Sequence, residues 1–170
     1  MGVVDDLTER NARFAKTRFD PALGMRPTLA TIVICCADTR VDPAVVLGAE
    51  PGEIMAIRNV GGRVTPGALD ELAMLRQVTQ SVGGDFPGWE LIVMQHTQCG
   101  ITRIQDHPEL LARYFQIGET GLHGTWVGDP QAAVVRDAAV LRAESRLDGV
   151  RISGLVYDVT TGLVETIIRP

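Results

Sequence analysis

Cysteine, histidine and aromatic residues are scarce in this chain of 170 residues. It contains three cysteines and three histidines, and 5% of its residues are aromatic. A small, odd number of thiols is more typical of metal ligands or buried apolar residues in a reducing compartment than of a disulfide framework. The chain also lacks a Lys/Arg-rich run and has a net charge of -5, which argues against a nucleic-acid partner.

Long apolar runs are missing as well. No stretch approaches the length of a membrane span, and Asp5, Asp6 and Glu9 stand where a secretory signal has a basic start and an apolar core. We therefore expect a cytoplasmic protein with no membrane partner. With 45% hydrophobic residues and no internal repeat, the 170 residues fit one domain, residues 1–170, with a core of its own.

Apolar runs alternate with helix-like stretches, which is typical of an α/β domain. We predict strands at residues 29–35, 53–58, 91–95 and 151–157. The first and third of these are nearly continuous apolar runs, as expected for central parallel strands covered on both faces. Turn-forming residues at 158–162 predict that the final segment returns as an antiparallel edge strand. The expected fold is a mixed, mainly parallel central sheet flanked by helices.

An N-cap residue followed by proline marks three predicted helix starts, at Asp42-Pro43, Thr65-Pro66 and Asp129-Pro130. The last two begin helices over residues 66–83 and 130–147, and we assign Val135 to the apolar side of the latter. Residues 3–18 have a loosely helical apolar pattern ahead of the first strand. We therefore predict that residues 1–28 form an N-terminal helical arm that packs on a partner subunit.

Residues of metal-binding types follow the two predicted central strands. Cys36 comes at the end of one strand, and His96 and Cys99 follow the other. Because neighbouring parallel strands end about 5 Å apart, these side chains can converge at one edge of the sheet. Two thiolates and one imidazole are a zinc set that leaves a fourth position for water or substrate. The alternative is that the cysteines are buried apolar residues and His96 is an ordinary loop residue.

Three further residues lie close to Cys36 in the sequence. Because side chains alternate along a strand, Cys35 points away from Cys36 and receives no role in metal binding. Asp38 and Arg40 share one side of an extended loop and can pair. Asp38 could accept a hydrogen bond from the nucleophilic water while Arg40 keeps it ionised and oriented. Alternatively, Asp38 could occupy the fourth position itself and close the site in a pH-dependent switch.

The Cys-x-Asp-x-Arg and His-x-x-Cys-Gly motifs together resemble the β-class carbonic anhydrases, and in particular their short prokaryotic branch. The segment Arg58-Asn59-Val60-Gly61-Gly62 resembles the one that follows the second strand in that family. The stretch from Gly154 to Gly162 resembles the family's terminal strand and turn. The resemblance covers most of the chain from about residue 29 onward, and its motifs are specific enough to indicate a family.

The resemblance implies zinc-dependent, reversible hydration of carbon dioxide to bicarbonate and a proton. It implies that Cys36, His96 and Cys99 bind the zinc and that Asp38 pairs with Arg40. It also implies a homodimer or homotetramer in which the N-terminal arm lies across the neighbouring subunit.

Three other functions remain open from the sequence. Carbonyl sulfide and carbon disulfide hydrolases resemble the same family and differ from it mainly in pocket shape. A noncatalytic, zinc-stabilised binding domain would keep Asp38 permanently as the fourth ligand. A thiol-redox sensor would use Cys35 and Cys36, although a disulfide between adjacent cysteines is strained.

Overall fold

A computed structural model describes residues 2–125 and 127–170 of the chain. Five strands of the described residues form one sheet: β1 Thr31–Cys36, β2 Ile54–Asn59, β3 Glu90–His96, β4 Arg151–Tyr157 and β5 Val164–Ile168. Their spatial order is β2-β1-β3-β4-β5. The first four strands are mutually parallel, and β5 runs antiparallel to β4. The predicted mixed, mainly parallel sheet with an antiparallel edge strand is confirmed.

Five α-helices accompany the sheet within the described residues: α1 Val3–Thr17, α2 Pro43–Leu47, α3 Pro66–Ser81, α4 Pro108–Phe115 and α5 Pro130–Ala143. The three predicted N-caps are confirmed, because Asp42, Thr65 and Asp129 each accept hydrogen bonds from amides of the first helical turn. Helix α4 was not predicted. It also begins with a proline, but its N-cap His107 makes no side-chain capping bond, so the usual signal is missing.

The predicted start of the first strand at residue 29 is wrong by two residues. Leu29 is 56% exposed, and Ala30 has a φ of 46°, a left-handed conformation that a strand cannot include. The Ala30 amide donates to the carbonyl of Pro27 in a turn. The apolar run therefore begins two residues before the strand, which ends one residue later than predicted, at Cys36.

The main core lies between one face of the sheet and helices α3 and α5. It joins strand residues to helix residues, including Ile32, Ile34, Leu91, Val93, Leu72, Val134 and Leu141. The assignment of Val135 to the apolar side of α5 is wrong, since its side chain is 53% exposed. A buried carboxylate, Asp137, lies on the covered side instead.

The opposite face of the sheet has a smaller cluster of buried residues, which includes Val33, Cys35, Val41 and Met94. Helix α2 contributes partly buried residues to it. Helix α1 buries none of its residues against the rest of the chain. Among the described residues, no helix is long and apolar enough to cross a membrane.

Candidate metal centre

The sheet topology brings Cys36, His96 and Cys99 together. Cys36 is the last residue of β1, His96 is the last residue of the adjacent parallel strand β3, and Cys99 lies in the loop that follows. Their sulfur and nitrogen ligand atoms lie within 4.8 Å of one another, and the two sulfurs are 3.7 Å apart. All three residues are buried. The three residues whose convergence was predicted from strand ends do meet at one edge of the sheet.

The imidazole of His96 is oriented for a ligand on its Nε2 atom. Nδ1 lies 2.9 Å from the carbonyl oxygen of Thr97, and a carbonyl can only accept, so Nδ1 carries the proton. Nε2 then has a free lone pair. This atom is buried and has no hydrogen-bond partner among the residues that the structure describes. A metal ion would satisfy it, and a backbone carbonyl on the other ring nitrogen is the usual support for a metal-binding histidine.

Cys36 and Cys99, the two candidate ligand cysteines, are in hydrogen-bond contact through their sulfurs. The pKa of Cys36 is lowered, mainly because the Cys99 thiol donates to its sulfur and also because the backbone amides of Asp38 and Gly61 favour the thiolate. The pKa of Cys99 is raised, because its proton is held in that same bond and because it is buried. A divalent cation between the sulfurs would replace the shared proton and stabilise both thiolates. The donor set therefore fits a metal ion.

Asp38 lies beside the candidate ligand cluster, which is formed by Cys36, His96 and Cys99, and it is paired with Arg40. Arg40 Nε donates to Oδ1 at 3.0 Å and Nη2 donates to Oδ2 at 2.7 Å, which holds the pKa of the Asp38 carboxyl well below its usual range. Arg40 Nη2 also donates to the carbonyl of Gln98 at 3.1 Å. Oδ2 of Asp38 is 4.0 Å from His96 Nε2. The carboxylate thus stands next to the ligand atoms with both oxygens bonded to Arg40.

Arg58 holds the backbone of the loop that carries Asp38, and sequence reasoning gave it no such role. Its Nε donates to the Cys36 carbonyl at 3.2 Å and its Nη2 to the Asp38 carbonyl at 2.9 Å. Nη1 forms an ion pair with Asp42, the N-cap of α2, at 3.0 Å. Arg58 belongs to the Arg-Asn-x-Gly segment, which does not indicate this role. Its bonds reach a loop some twenty residues upstream because β1 pairs with β2, and Cys35 lies opposite Arg58 in that pairing.

Cys35 lies away from the ligand cluster. It belongs to the apolar cluster on one face of the sheet, whereas Cys36 belongs to the cluster that contains Cys99. Burial raises the pKa of the Cys35 thiol to about 12. These facts agree with the predicted alternation along the strand and leave Cys35 as a buried apolar residue.

Comparisons with known proteins agree with this site. The sequence profile of a family described as carbonic anhydrase matches residues 31–117. The chain is 30% identical to β-carbonic anhydrase 1 of Mycobacterium tuberculosis over 174 residues, which covers 98% of this chain and 99% of the relative. It is 34% identical to a carbon disulfide hydrolase of an Acidianus species over 83 residues, 49% of this chain and 36% of that protein.

A crystal structure of carbonic anhydrase from Streptococcus mutans has the same fold. It superimposes with a TM-score of 0.75 at 26% sequence identity and covers 99% of each chain. The sequence relationship thus extends over nearly the whole chain and includes both motifs that contribute to the candidate site. The chain belongs to the β-class carbonic anhydrase family.

Proposed function

We propose that this protein is a zinc-dependent carbonic anhydrase that converts carbon dioxide and water reversibly to bicarbonate and a proton. The observation that carries the proposal is the convergence of the Cys36, His96 and Cys99 ligand atoms within 4.8 Å, next to the paired Asp38 and Arg40. Family membership supports the same reaction. A small molecule is the substrate class that this buried site would accept.

Cys36 Sγ, Cys99 Sγ and His96 Nε2 would bind the zinc ion. Thiolate and imidazole are the ligands that zinc commonly has in proteins, and three of them leave one position open. When bound there, zinc supplies the Lewis acidity that lowers the pKa of water. Because two thiolates cancel the formal charge of the ion, this effect is weaker than with three neutral histidines. Activation of the water therefore depends more on a neighbouring carboxylate.

Asp38 is the carboxylate in position to help the attacking water. Its Oδ2 atom is 4.0 Å from His96 Nε2. From there the carboxylate would accept a hydrogen bond from the attacking water and orient it toward the carbon of the substrate. Arg40 keeps Asp38 ionised, and its bond to the Gln98 carbonyl ties the pair to the loop between His96 and Cys99. The bidentate pairing supports an open site over one in which Asp38 is the fourth ligand.

Elemental analysis combined with a stopped-flow assay of carbon dioxide hydration tests this function. We expect one zinc ion per chain and a hydration rate that rises from neutral to mildly alkaline pH as the nucleophilic water deprotonates. A protein that holds zinc but neither hydrates carbon dioxide across that range nor hydrolyses carbon disulfide or carbonyl sulfide would instead be a zinc-stabilised binding domain.

Hydrolysis of carbon disulfide or carbonyl sulfide is the second candidate reaction. The similarity to the Acidianus carbon disulfide hydrolase favours it, although the match covers 36% of that protein. The same zinc site and the same Asp38 would serve both reactions, because each begins with attack of water on a linear, electrophilic carbon. Sulfide release measured beside carbon dioxide hydration on one preparation separates the two.

We also propose that the protein is a homodimer or homotetramer in which residues 1–28 lie across a partner subunit. Helix α1 carries apolar side chains that its own chain does not bury, with Val3 76% and Leu7 54% exposed. Light scattering on the whole protein and on a Leu7→Asp variant tests the arm, since a charge in a buried contact would favour the smaller species. Residue 1 of the arm lies outside the described residues, and the assignment of residues 1–170 to one domain is part of this proposal.

A cytoplasmic location is proposed from the thiol chemistry of the site. Cys36 and Cys99 are free cysteines 3.7 Å apart at their sulfurs, and they must remain reduced to bind a metal. A reducing compartment maintains that state, whereas an oxidising one favours disulfides. Cell fractionation with antibody detection of the protein tests the location.

A further inference from the structure

The turn formed by Gly61 and Gly62 lies directly against Cys36. Both glycines have a positive φ, 80° and 61°, and a Cβ atom on Gly62 would lie 2.6 Å from the backbone nitrogen of Cys36. Asn59, just before the turn, is the partner of Cys36 in the β1–β2 register, and its carbonyl accepts from the Ala37 amide at 2.9 Å. The position of this turn therefore constrains the backbone from which the Cys36 sulfur projects.

Side-chain hydrogen bonds hold both ends of the turn. Asn59 Oδ1 accepts from the Arg63 amide at 2.8 Å, and Asn59 Nδ2 donates to the Arg63 carbonyl at 2.8 Å. Gln95, which precedes His96 on β3, donates from Nε2 to the Gly62 carbonyl at 2.6 Å. Arg63 is thus the residue through which the turn is closed.

Arg63 and Asp137 form an ion pair behind the turn that is almost completely buried. Their side chains are 1% and 0% exposed, and Arg63 donates from Nε to Oδ2 at 2.8 Å and from Nη2 to Oδ1 at 3.0 Å. Asp137 Oδ2 also accepts from the Val64 amide at 3.0 Å, and the guanidinium lies 5.2 Å from the centroid of the Phe115 ring. The pair joins helix α5 to the residue that closes the turn.

A buried ion pair is weak evidence for a stabilising role. Removing two charges from water is costly, and a buried ion pair can often be replaced by apolar residues of similar volume without loss of stability. Arg63 also lines a cavity of about 30 Å³ together with His96 and Cys99, so Arg63 is adjacent to the proposed metal site. A role at that site explains why charges are retained in this position.

We propose that Arg63 and Asp137 are positioning residues that hold the Gly61–Gly62 turn against Cys36 and thereby strengthen metal binding. The inference rests on the proposed zinc site. The ion pair fixes Arg63 relative to α5, and the Asn59 bonds transmit that restraint to both ends of the turn. Removing a residue that contacts and orients a metal ligand, without binding the metal itself, typically weakens metal binding about 10- to 100-fold.

The double substitution Arg63→Met with Asp137→Leu is the decisive variant, because it removes both fully buried charges together. Arg136, whose Nη1 also donates to Asp137 Oδ1 at 2.8 Å, is 27% exposed, so its charge can turn to solvent in this variant. We expect native circular dichroism and zinc binding about 10- to 100-fold weaker than in the wild type, measured by competition with a chromophoric chelator. We also expect a shift in the cysteine-to-metal charge-transfer band of the Co²⁺-loaded protein. Wild-type zinc affinity with an unchanged band would overturn the inference.

A second variant and a control complete the test. Asp137→Asn keeps the shape of the side chain and an acceptor for the Val64 amide. If the double variant does not fold, zinc affinity and the Co²⁺ charge-transfer band are measured on this variant instead. The matched control is Arg76→Met with Asp85→Leu, which removes another bidentate pair, with bonds of 2.7 and 3.1 Å, from a place that has no bond to the turn. It should bind zinc as the wild type does. A wild type that binds no zinc would refute the proposed function itself, not the positioning role alone.

Discussion

Arg40 donates two parallel hydrogen bonds to Asp38, and its backbone amide adds a third to Oδ1 at 2.9 Å. The same arrangement also occurs on the surface. Arg146 donates to Glu144 from Nε at 2.9 Å, from Nη2 at 2.8 Å and from its amide at 3.0 Å, again with one residue between acid and arginine. The Asp38–Arg40 pair lies next to the candidate metal ligands and the Glu144–Arg146 pair does not, so the second pair serves as a control for the first.

The Arg40→Ala variant should retain zinc and lose turnover. Zinc is retained because no ligand atom is removed, and we expect a loss of about 10- to 100-fold in kcat because the carboxylate is no longer held in place. The pKa of Asp38 is lowered chiefly by Arg40, so it should rise in the variant. The loss of activity that accompanies protonation of Asp38, which lies on the acid side of the rise due to the water, should then begin at higher pH than in the wild type. Stopped-flow hydration over pH measures both effects.

Arg146→Ala provides the comparison for that variant. It removes an arginine with the same bonding pattern, and its hydration rate and pH profile should equal those of the wild type. If Arg40→Ala also left both unchanged, the role of Arg40 in positioning Asp38 would be wrong.

The Asp38→Asn variant should keep its zinc and lose most of its activity. The amide keeps the shape of the carboxylate but is uncharged and a weaker acceptor, and loss of a positioned proton acceptor typically costs about 100-fold or more in rate. Elemental analysis and the hydration assay on the same sample give both quantities. Loss of zinc from this variant would indicate instead that Asp38 is a metal ligand in solution.

The Cys36→Ser and His96→Ala variants should lose most of their zinc, because each removes one of three proposed ligand atoms. The matched control is Cys35→Ala, which removes the adjacent thiol on the other face of the strand and should leave zinc at one ion per chain. Elemental analysis after dialysis against a weak chelator measures the difference. Full zinc content in either ligand variant would contradict the assignment of that ligand.

The convergence of Cys36, His96 and Cys99 was predictable because it depends on local signals. A run of apolar, β-branched residues marks each central strand, parallel strands end at a common edge, and the ligand residues follow those ends within a few positions. The Asp38–Arg40 pair was predicted from two positions of separation in an extended loop, but the loop is a turn at these residues. The Val41 amide donates to the Asp38 carbonyl and the Arg40 amide to Asp38 Oδ1, and this turn brings the two side chains together. None of these inferences requires knowledge of how distant helices pack.

The buried pair of Arg63 and Asp137 could not be derived in that way. The two residues are separated by 74 positions, and their contact depends on where α5 lies over the sheet. One signal was present: Asp137 falls between Val134 and Leu141 on the apolar side of its helix, where a charge requires a buried partner. The sequence does not identify that partner, because many arginines have the same local surroundings.

The Gly62→Ala variant should be strongly destabilised. The new Cβ atom would lie 2.6 Å from the Cys36 nitrogen and 2.8 Å from the Cys35 carbonyl carbon, and these backbone atoms belong to a central strand and cannot move aside. Gly48→Ala is the matched control, because Gly48 has a φ of 67° and a Cβ atom there would meet no other atom within 4 Å. It should therefore show only the left-handed backbone cost of about 1–2 kcal/mol. We expect Gly62→Ala to exceed that cost in urea unfolding and to bind zinc more weakly than Gly48→Ala. Equal stability of the two variants would contradict the close contact between the turn and Cys36.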